Sequence, residues 1–155
     1  MAEASRTRPK LQAHGRRVLI VEACFYERIN ELLLEGARAV LADAEAAVEH
    51  VVVPGALELP TAIAMAHKMR RFEAFVALGC VIRGETTHYE LVAGESARGL
   101  VDLGIREGAL IGNGILTVEN EEQALARADP ARLDKGGDAA WAALALLDLR
   151  ARLGA

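Results

Sequence analysis

Aromatic side chains are scarce: Phe, Trp and Tyr make up 4% of this 155-residue sequence, although the set AVILMFWYC makes up 52%. A core of that composition is built from Ala, Val, Leu and Ile with small residues between them, which suits tightly packed helices around a buried sheet. Cysteine is nearly absent too. Cys24 and Cys80 are too few for a disulfide framework and lack metal-ligand spacing, so they read as two reduced thiols of a cytoplasmic protein. Positive charge is not in excess, the formal net charge being -4, so no basic field exists to attract nucleic acid. No apolar stretch is long enough and free enough of charge to span a bilayer. A Walker loop, a G-x-S-x-G elbow and a metal-ligand cluster are all missing, and Gly112-Asn113-Gly114 lacks the third glycine and the strand-turn-helix setting of a dinucleotide fingerprint. A phosphoacceptor signalling domain needs clustered acidic residues after its first strand, and Glu22 alone does not supply them.

The length suits one domain. Residues 1–16 are polar and basic without the apolar centre of a signal peptide; they read as a flexible arm that orders on a neighbouring subunit, with a transit peptide as the alternative. The domain proper then covers residues 17–155. In it, short β-branched runs alternate with longer helical stretches. Val18 to Val21, Val51 to Val53, Phe75 to Ile82 and Ala109 to Val118 are expected as strands covered on both faces, since each is mostly apolar. Ile29, Leu32, Leu33, Gly36, Val40 and Leu41 recur at helical spacing, Pro60 suits the first turn of a second helix reaching Arg70, and a third follows His88. A short helix is expected near Asn120, and a last one from Lys135 to Arg152. Strands joined by helical connections imply right-handed βαβ units: a three-layer, doubly wound α/β domain with a four-stranded parallel sheet and helices on both faces.

Ligands of such sheets bind beyond the carboxyl ends of the strands, which directs attention to Cys24-Phe25-Tyr26, to the turn starting at Pro54, to Arg83 through His88, and to Thr117 through Asn120. Thr87-His88-Tyr89-Glu90 has the T-x-x-E form of a capping box, placing His88 at the first helical position. The Glu85-Thr86-Thr87 turn is then either an anion site for a phosphate or simply a capped helix end. The helix dipole favours a neutral imidazole at His88, suited to general acid/base work, whereas His14, His50 and His67 lack such a setting and read as structural. Glu58 either receives hydroxyl hydrogen bonds from a polyol or caps the second helix. Phe25 either stacks on a flat ligand or fills the core, and Arg127 and Lys135 are either anion donors or solvated charges.

Four segments taken together, VPGALELP, GCVIRGETTHYE, NGILTVENEEQALARA and DKGGDAA, resemble the 6,7-dimethyl-8-ribityllumazine synthase family of riboflavin biosynthesis in order and spacing, from roughly Arg17 to Arg150. The resemblance implies a flavodoxin-like fold and a cofactor-independent condensation of 5-amino-6-(D-ribitylamino)uracil with 3,4-dihydroxy-2-butanone 4-phosphate. It assigns proton transfer to His88 and the phosphate to Glu85, Thr86 and Arg127. For the pyrimidine and its ribityl chain it implies Phe25, Ala56, Leu57, Glu58, Cys80, Val81, Ile82, Asn113 and Lys135. This sequence departs from common family residues at Tyr26, Leu57 and Asn113. The resemblance further implies a homopentamer with active sites at subunit interfaces. A free pentamer is the expectation, because DPARLDKGG departs from the glycine-rich turn of shell-forming members, and the small residues Ala93, Gly94, Ser96, Ala97 and Gly99 offer a face for close helix approach. The competing reading is a non-catalytic paralogue that sequesters flavin or lumazine; His88 together with Arg127 favours the enzyme, since storing a ring needs neither proton transfer nor phosphate capture.

Overall fold

The computed structural model describes residues 7–154. In chain order the elements are β1 (Arg17–Ala23), α1 (Glu27–Asp43), β2 (Ala47–Val53), a 3-10 turn (Ala56–Glu58), α2 (Leu59–Lys68), β3 (Ala74–Ile82), α3 (His88–Glu107), β4 (Ile111–Val118), α4 (Glu121–Ala128) and α5 (Lys135–Arg152). The four strands form one sheet in the order β2-β1-β3-β4, and every neighbouring pair is parallel. The expected three-layer α/β architecture is present.

Two cores flank the sheet. On one face Val18 and Ile20 of β1 and Val76 and Leu78 of β3 pack against Leu33, Ala37 and Leu41 of α1 and against Ala140 and Leu144 of α5. On the other, Leu19, Val21, Phe75 and Ala77 meet Leu59 and Ile63 of α2 and Leu100 of α3. Each Val, Leu, Ile or Phe among them, fully buried, contributes roughly 1.5–3 kcal/mol of transfer free energy. Successive residues of β1 and β3 thus point into opposite cores, which is why both strands read as unbroken apolar runs.

The outer strands differ. Val48, Val51 and Val52 of β2 are exposed, correcting the expectation that this strand is covered on both faces: it lies at the sheet edge, and the helices pack chiefly over its inner neighbours. In β4 the buried residues alternate, with Gly112, Gly114, Leu116 and Val118 inward and Asn113 and Thr117 exposed. Its start at Ile111 rather than Ala109 follows from Gly108, whose positive φ of 72° ends α3 just before it.

Glycines bring α5 close to its neighbours. A Cβ on Gly112 would stand 1.8 Å from the Ala139 carbonyl oxygen, and one on Gly136 would stand 2.1 Å from that of Leu33. Gly99 plays a similar part between α3 and α2, where a Cβ would meet Pro60 at 2.8 Å. Within the expected arm, Arg8 pairs with Asp134 at 2.7 Å, the Trp141 indole donates to the Pro9 carbonyl at 2.8 Å, and Ala13 N–H donates to Ala44 O at 2.9 Å. These contacts lie on the chain's own α1 and α5, whereas residues 1–6 of the expected arm fall outside the described residues.

The close seat of α5 is testable through Gly112→Ala. Overpacking against backbone is expected to cost roughly 1–3 kcal/mol or more, read as a lower urea midpoint at unchanged slope; an unchanged midpoint would mean that α5 does not rest on β4 in this way.

Candidate active site

The strand order reverses direction between β1 and β3, so a crevice opens at their carboxyl ends. A cleft of about 430 Å³ occupies that place, within the range of small-molecule sites. Its walls come from four segments: Phe25 and Tyr26 after β1, Pro54 to Glu58 after β2, Cys80 to Ile82 at the end of β3, and Gly84, Thr86, His88, Tyr89 and Val92 in the turn and first helical residues of α3.

Phe25 is 71% exposed, so it does not fill the core. Its ring meets that of Tyr26 edge-on, with centroids 5.0 Å apart and planes at 71°, which leaves an aromatic surface at the mouth of the cleft. Glu58 stands at the N-cap of α2 without a side-chain capping bond and lines the cleft instead. Cys80 supplies no nucleophile near neutrality, because burial pushes its thiol up to about 12. The Tyr26 phenol is raised as well, first by burial and then by the neighbouring Cys80. The apolar wall therefore carries neutral groups beside the carboxylate of Glu58.

His88 is the first residue of α3, as expected, and is exposed at the cleft. The capping box is not formed. Thr87 makes no side-chain capping bond; the His88 amide instead donates to Thr86 Oγ1 at 3.3 Å, and the carboxylate of Glu90 turns to Arg83. A charge-assisted bond to a guanidinium is stronger than a bond to one amide, which accounts for the glutamate's half of the box. Reciprocal capping occurs at α4, where Asn120 Oδ1 accepts from Gln123 N at 2.9 Å and Gln123 Oε1 accepts from Glu119 N at 2.8 Å. The other histidines are engaged elsewhere: His50 with Glu22 at 2.6 Å, His67 with the Glu107 carbonyl at 2.9 Å, and His14 near Glu45 at 3.8 Å. Glu22 is buried in its pairing with His50, so it offers no open phosphoacceptor.

Of the residues singled out in the sequence, Phe25, Ala56, Leu57, Glu58, Cys80, Val81, Ile82, Thr86 and His88 share this one cleft. Glu85, Asn113, Arg127 and Lys135 do not line it. Glu85 lies exposed in the same turn. Asn113 is on the edge strand β4, its Oδ1 accepting from Ile115 N at 2.9 Å. Arg127 donates to the Gln123 carbonyl at 3.0 Å and Lys135 sits 3.4 Å from Asp138, both on helices that pack on the sheet face opposite α3. Tyr26, Pro54, Gly55 and Gly84, in the strand-end segments but assigned no site role, also line the cleft, as do Tyr89 and Val92; for the last two, helical spacing from His88, with Val92 at i+4, was the available signal. Among the described residues no group of three or more His, Cys, Asp and Glu could hold a metal ion, and no helix is long and apolar enough to cross a membrane.

The family model for 6,7-dimethyl-8-ribityllumazine synthase matches residues 15–151. A protein of that name from Erythrobacter litoralis is 62% identical over 139 residues, covering 90% of this chain and 99% of the relative. One from Sphingopyxis alaskensis is 62% identical over 138 residues, covering 88% and 96%. A 6,7-dimethyl-8-ribityllumazine synthase 1 from Rhodopseudomonas palustris is 52% identical over 160 residues, covering 99% and 98%. With matches this long at this identity, the chain belongs to the 6,7-dimethyl-8-ribityllumazine synthase family.

Proposed function

We propose that this enzyme condenses 5-amino-6-(D-ribitylamino)uracil with 3,4-dihydroxy-2-butanone 4-phosphate to give 6,7-dimethyl-8-ribityllumazine, phosphate and water. The observation that carries the reading is the cleft itself, which joins an exposed aromatic ring, a carboxylate and a histidine at the head of a helix. Phe25 stacks on the pyrimidine, and Cys80, Val81 and Ile82 form the apolar wall along it. Glu58 accepts hydrogen bonds from ribityl hydroxyls, with Ala56 and Leu57 lining the chain beside it. At the far end the backbone amides of Glu85 and Thr86, with the Thr86 hydroxyl, hold the phosphate in the turn before α3, where the positive end of the helix dipole favours an anion.

The reaction then proceeds by attack of the pyrimidine amine on the ketone of the second substrate. Loss of water gives an imine, elimination releases phosphate and leaves an enol that becomes a ketone, and the neighbouring ribitylamino nitrogen closes the ring on that carbonyl with loss of a second water. Each step moves protons between nitrogen, carbon and oxygen, and His88 serves as the general acid/base. The rest of the rate enhancement comes from holding two reactive partners in order within one cleft. No cofactor enters this scheme.

Asn113, Arg127 and Lys135 complete the site from a neighbouring copy in a homopentamer. Two features support this: these residues lie away from the chain's own cleft, and apolar side chains stand uncovered on β2 (Val51, Val52), on α2 and the residue that ends it (Met65, Met69) and on α3 (Val101, Ile105). Arg127 neutralises the departing phosphate, and Lys135 donates to the ring or to the phosphate. The free thiols Cys24 and Cys80 fit a reducing compartment, the cytoplasm.

Turnover is followed by lumazine absorbance and phosphate release. His88→Ala is expected to lower kcat by about 10²-fold, and an unchanged kcat would remove His88 from the mechanism. Wild-type protein with flavin bound but no turnover would point to a binding protein instead. Sharing between copies is tested by unfolding His88→Ala and Arg127→Ala proteins together and refolding them as mixed oligomers. Random assembly places both native residues in about a quarter of interface sites, so activity should rise well above that of either variant; no rise would place Arg127 in its own chain's site.

A further inference from the structure

Arg83 follows β3 directly, and its backbone N–H continues the ladder to Val118 O at 2.9 Å. Its side chain is held on three sides. Nε donates to both carboxylate oxygens of Glu119, at 3.1 and 2.9 Å. Nη1 donates to Oε1 of Glu90, and the guanidinium carbon lies 4.2 Å from the centre of the Tyr89 ring. Glu119 belongs to the turn between β4 and α4, whereas Tyr89 and Glu90 immediately follow His88 at the start of α3. One side chain therefore ties the beginning of α3 to the ends of β3 and β4.

The turn before α3 has little else to hold it. Thr87 provides no side-chain cap, the bond from the His88 amide to Thr86 is 3.3 Å long, and Gly84 has open space around it. Arg83 itself does not line the cleft, but Tyr89 does, so the guanidinium braces the rear of a cleft residue adjoining His88. The hydrogen bond from Arg83 also lowers the Glu90 carboxyl pKa, so the tie is intact at neutral pH.

We propose that Arg83 is the positioning residue for His88, fixing the first turn of α3 through its carboxylate pair and the Tyr89 ring so that the imidazole faces the cleft. The proposal rests on the proposed condensation and adds to it a residue that touches neither substrate. Exposed ion pairs contribute little to global stability, so the effect belongs in local geometry and in kcat. A lysine cannot replace the guanidinium, since it has neither the planar fork nor the stacking face.

The test compares wild-type protein with Arg83→Met, Arg83→Lys and Glu119→Gln by steady-state kinetics and by amide hydrogen exchange over residues 84–92. Arg83→Met is expected to lower kcat by about tenfold or more, as misplacement of a reacting group does, with KM for the pyrimidine substrate within about twofold. Exchange in the 84–92 segment should quicken while the thermal midpoint stays near that of wild type. Arg83→Lys should restore little of this, and Glu119→Gln, which leaves Glu90 and Tyr89 in place, should show the same changes to a smaller degree. Should Arg83→Met fail to fold, Glu119→Gln carries the comparison. Wild-type kcat together with wild-type exchange in the variants would overturn the proposal, as would a lowered thermal midpoint with both of these unchanged. If the wild-type protein itself does not condense the two substrates, the proposed function fails, while unchanged exchange in the variants would independently overturn the clamp.

Discussion

The parallel pairing of β1 with β3 is the constraint on which the site depends. Their register, Val18 against Ala74 through Glu22 against Leu78, brings the end of β1 beside β3 at the place where the chain's winding reverses. Helices on the two sides of the sheet diverge there, and backbone that would otherwise be covered opens to a ligand. Phe25 leaves one strand and Cys80 to Ile82 end the other, so an exposed ring and an apolar wall face the same space. Both strands carry a core on each face, which keeps the crevice floor rigid.

Around that floor the movable parts are turns, and each is held differently. The segment after β2 is stiffened by Pro54 and by Pro60 in the first turn of α2. The segment after β3 has no such stiffening, and its helix begins without a side-chain cap. The guanidinium of Arg83 gathers Glu90, Glu119 and the Tyr89 ring at that point, so the position of the histidine-bearing turn is set from outside the cleft. An interaction that adds little to overall stability can still set local geometry where it spans two elements.

A fold of this kind also leaves surfaces unfinished. The edge strand β2 exposes valines, and α2, the residue that ends it and α3 expose methionines, Val101 and Ile105, while Asn113, Arg127 and Lys135 stand apart from the cleft. The proposed sharing of the site between copies would account for both observations.

Much of this was legible in the sequence, because much of it is local. The runs Val18 to Val21 and Phe75 to Ile82, the helical spacing through Leu41, and the last helix from Lys135 to Arg152 all express periodicity of side chains along one element. The strand-end segments carrying Phe25, Glu58 and His88 followed from the parallel order of those elements. What only the tertiary structure decided is competition through space. Glu90 sits at the right spacing to cap α3, yet it serves Arg83, since a cation five residues before the helix lies closer in space than the sequence signals and binds a carboxylate more strongly than an amide does. The valines of β2 read as buried by composition, and the sheet order left them at an edge. Arg8 and Asp134 are paired across 126 positions, a contact no local pattern encodes. The sequence by itself determined the elements and the chemistry at their ends; the packing of those elements determined which side chains meet, because charge pairing and burial depend on neighbours that only the folded chain brings together.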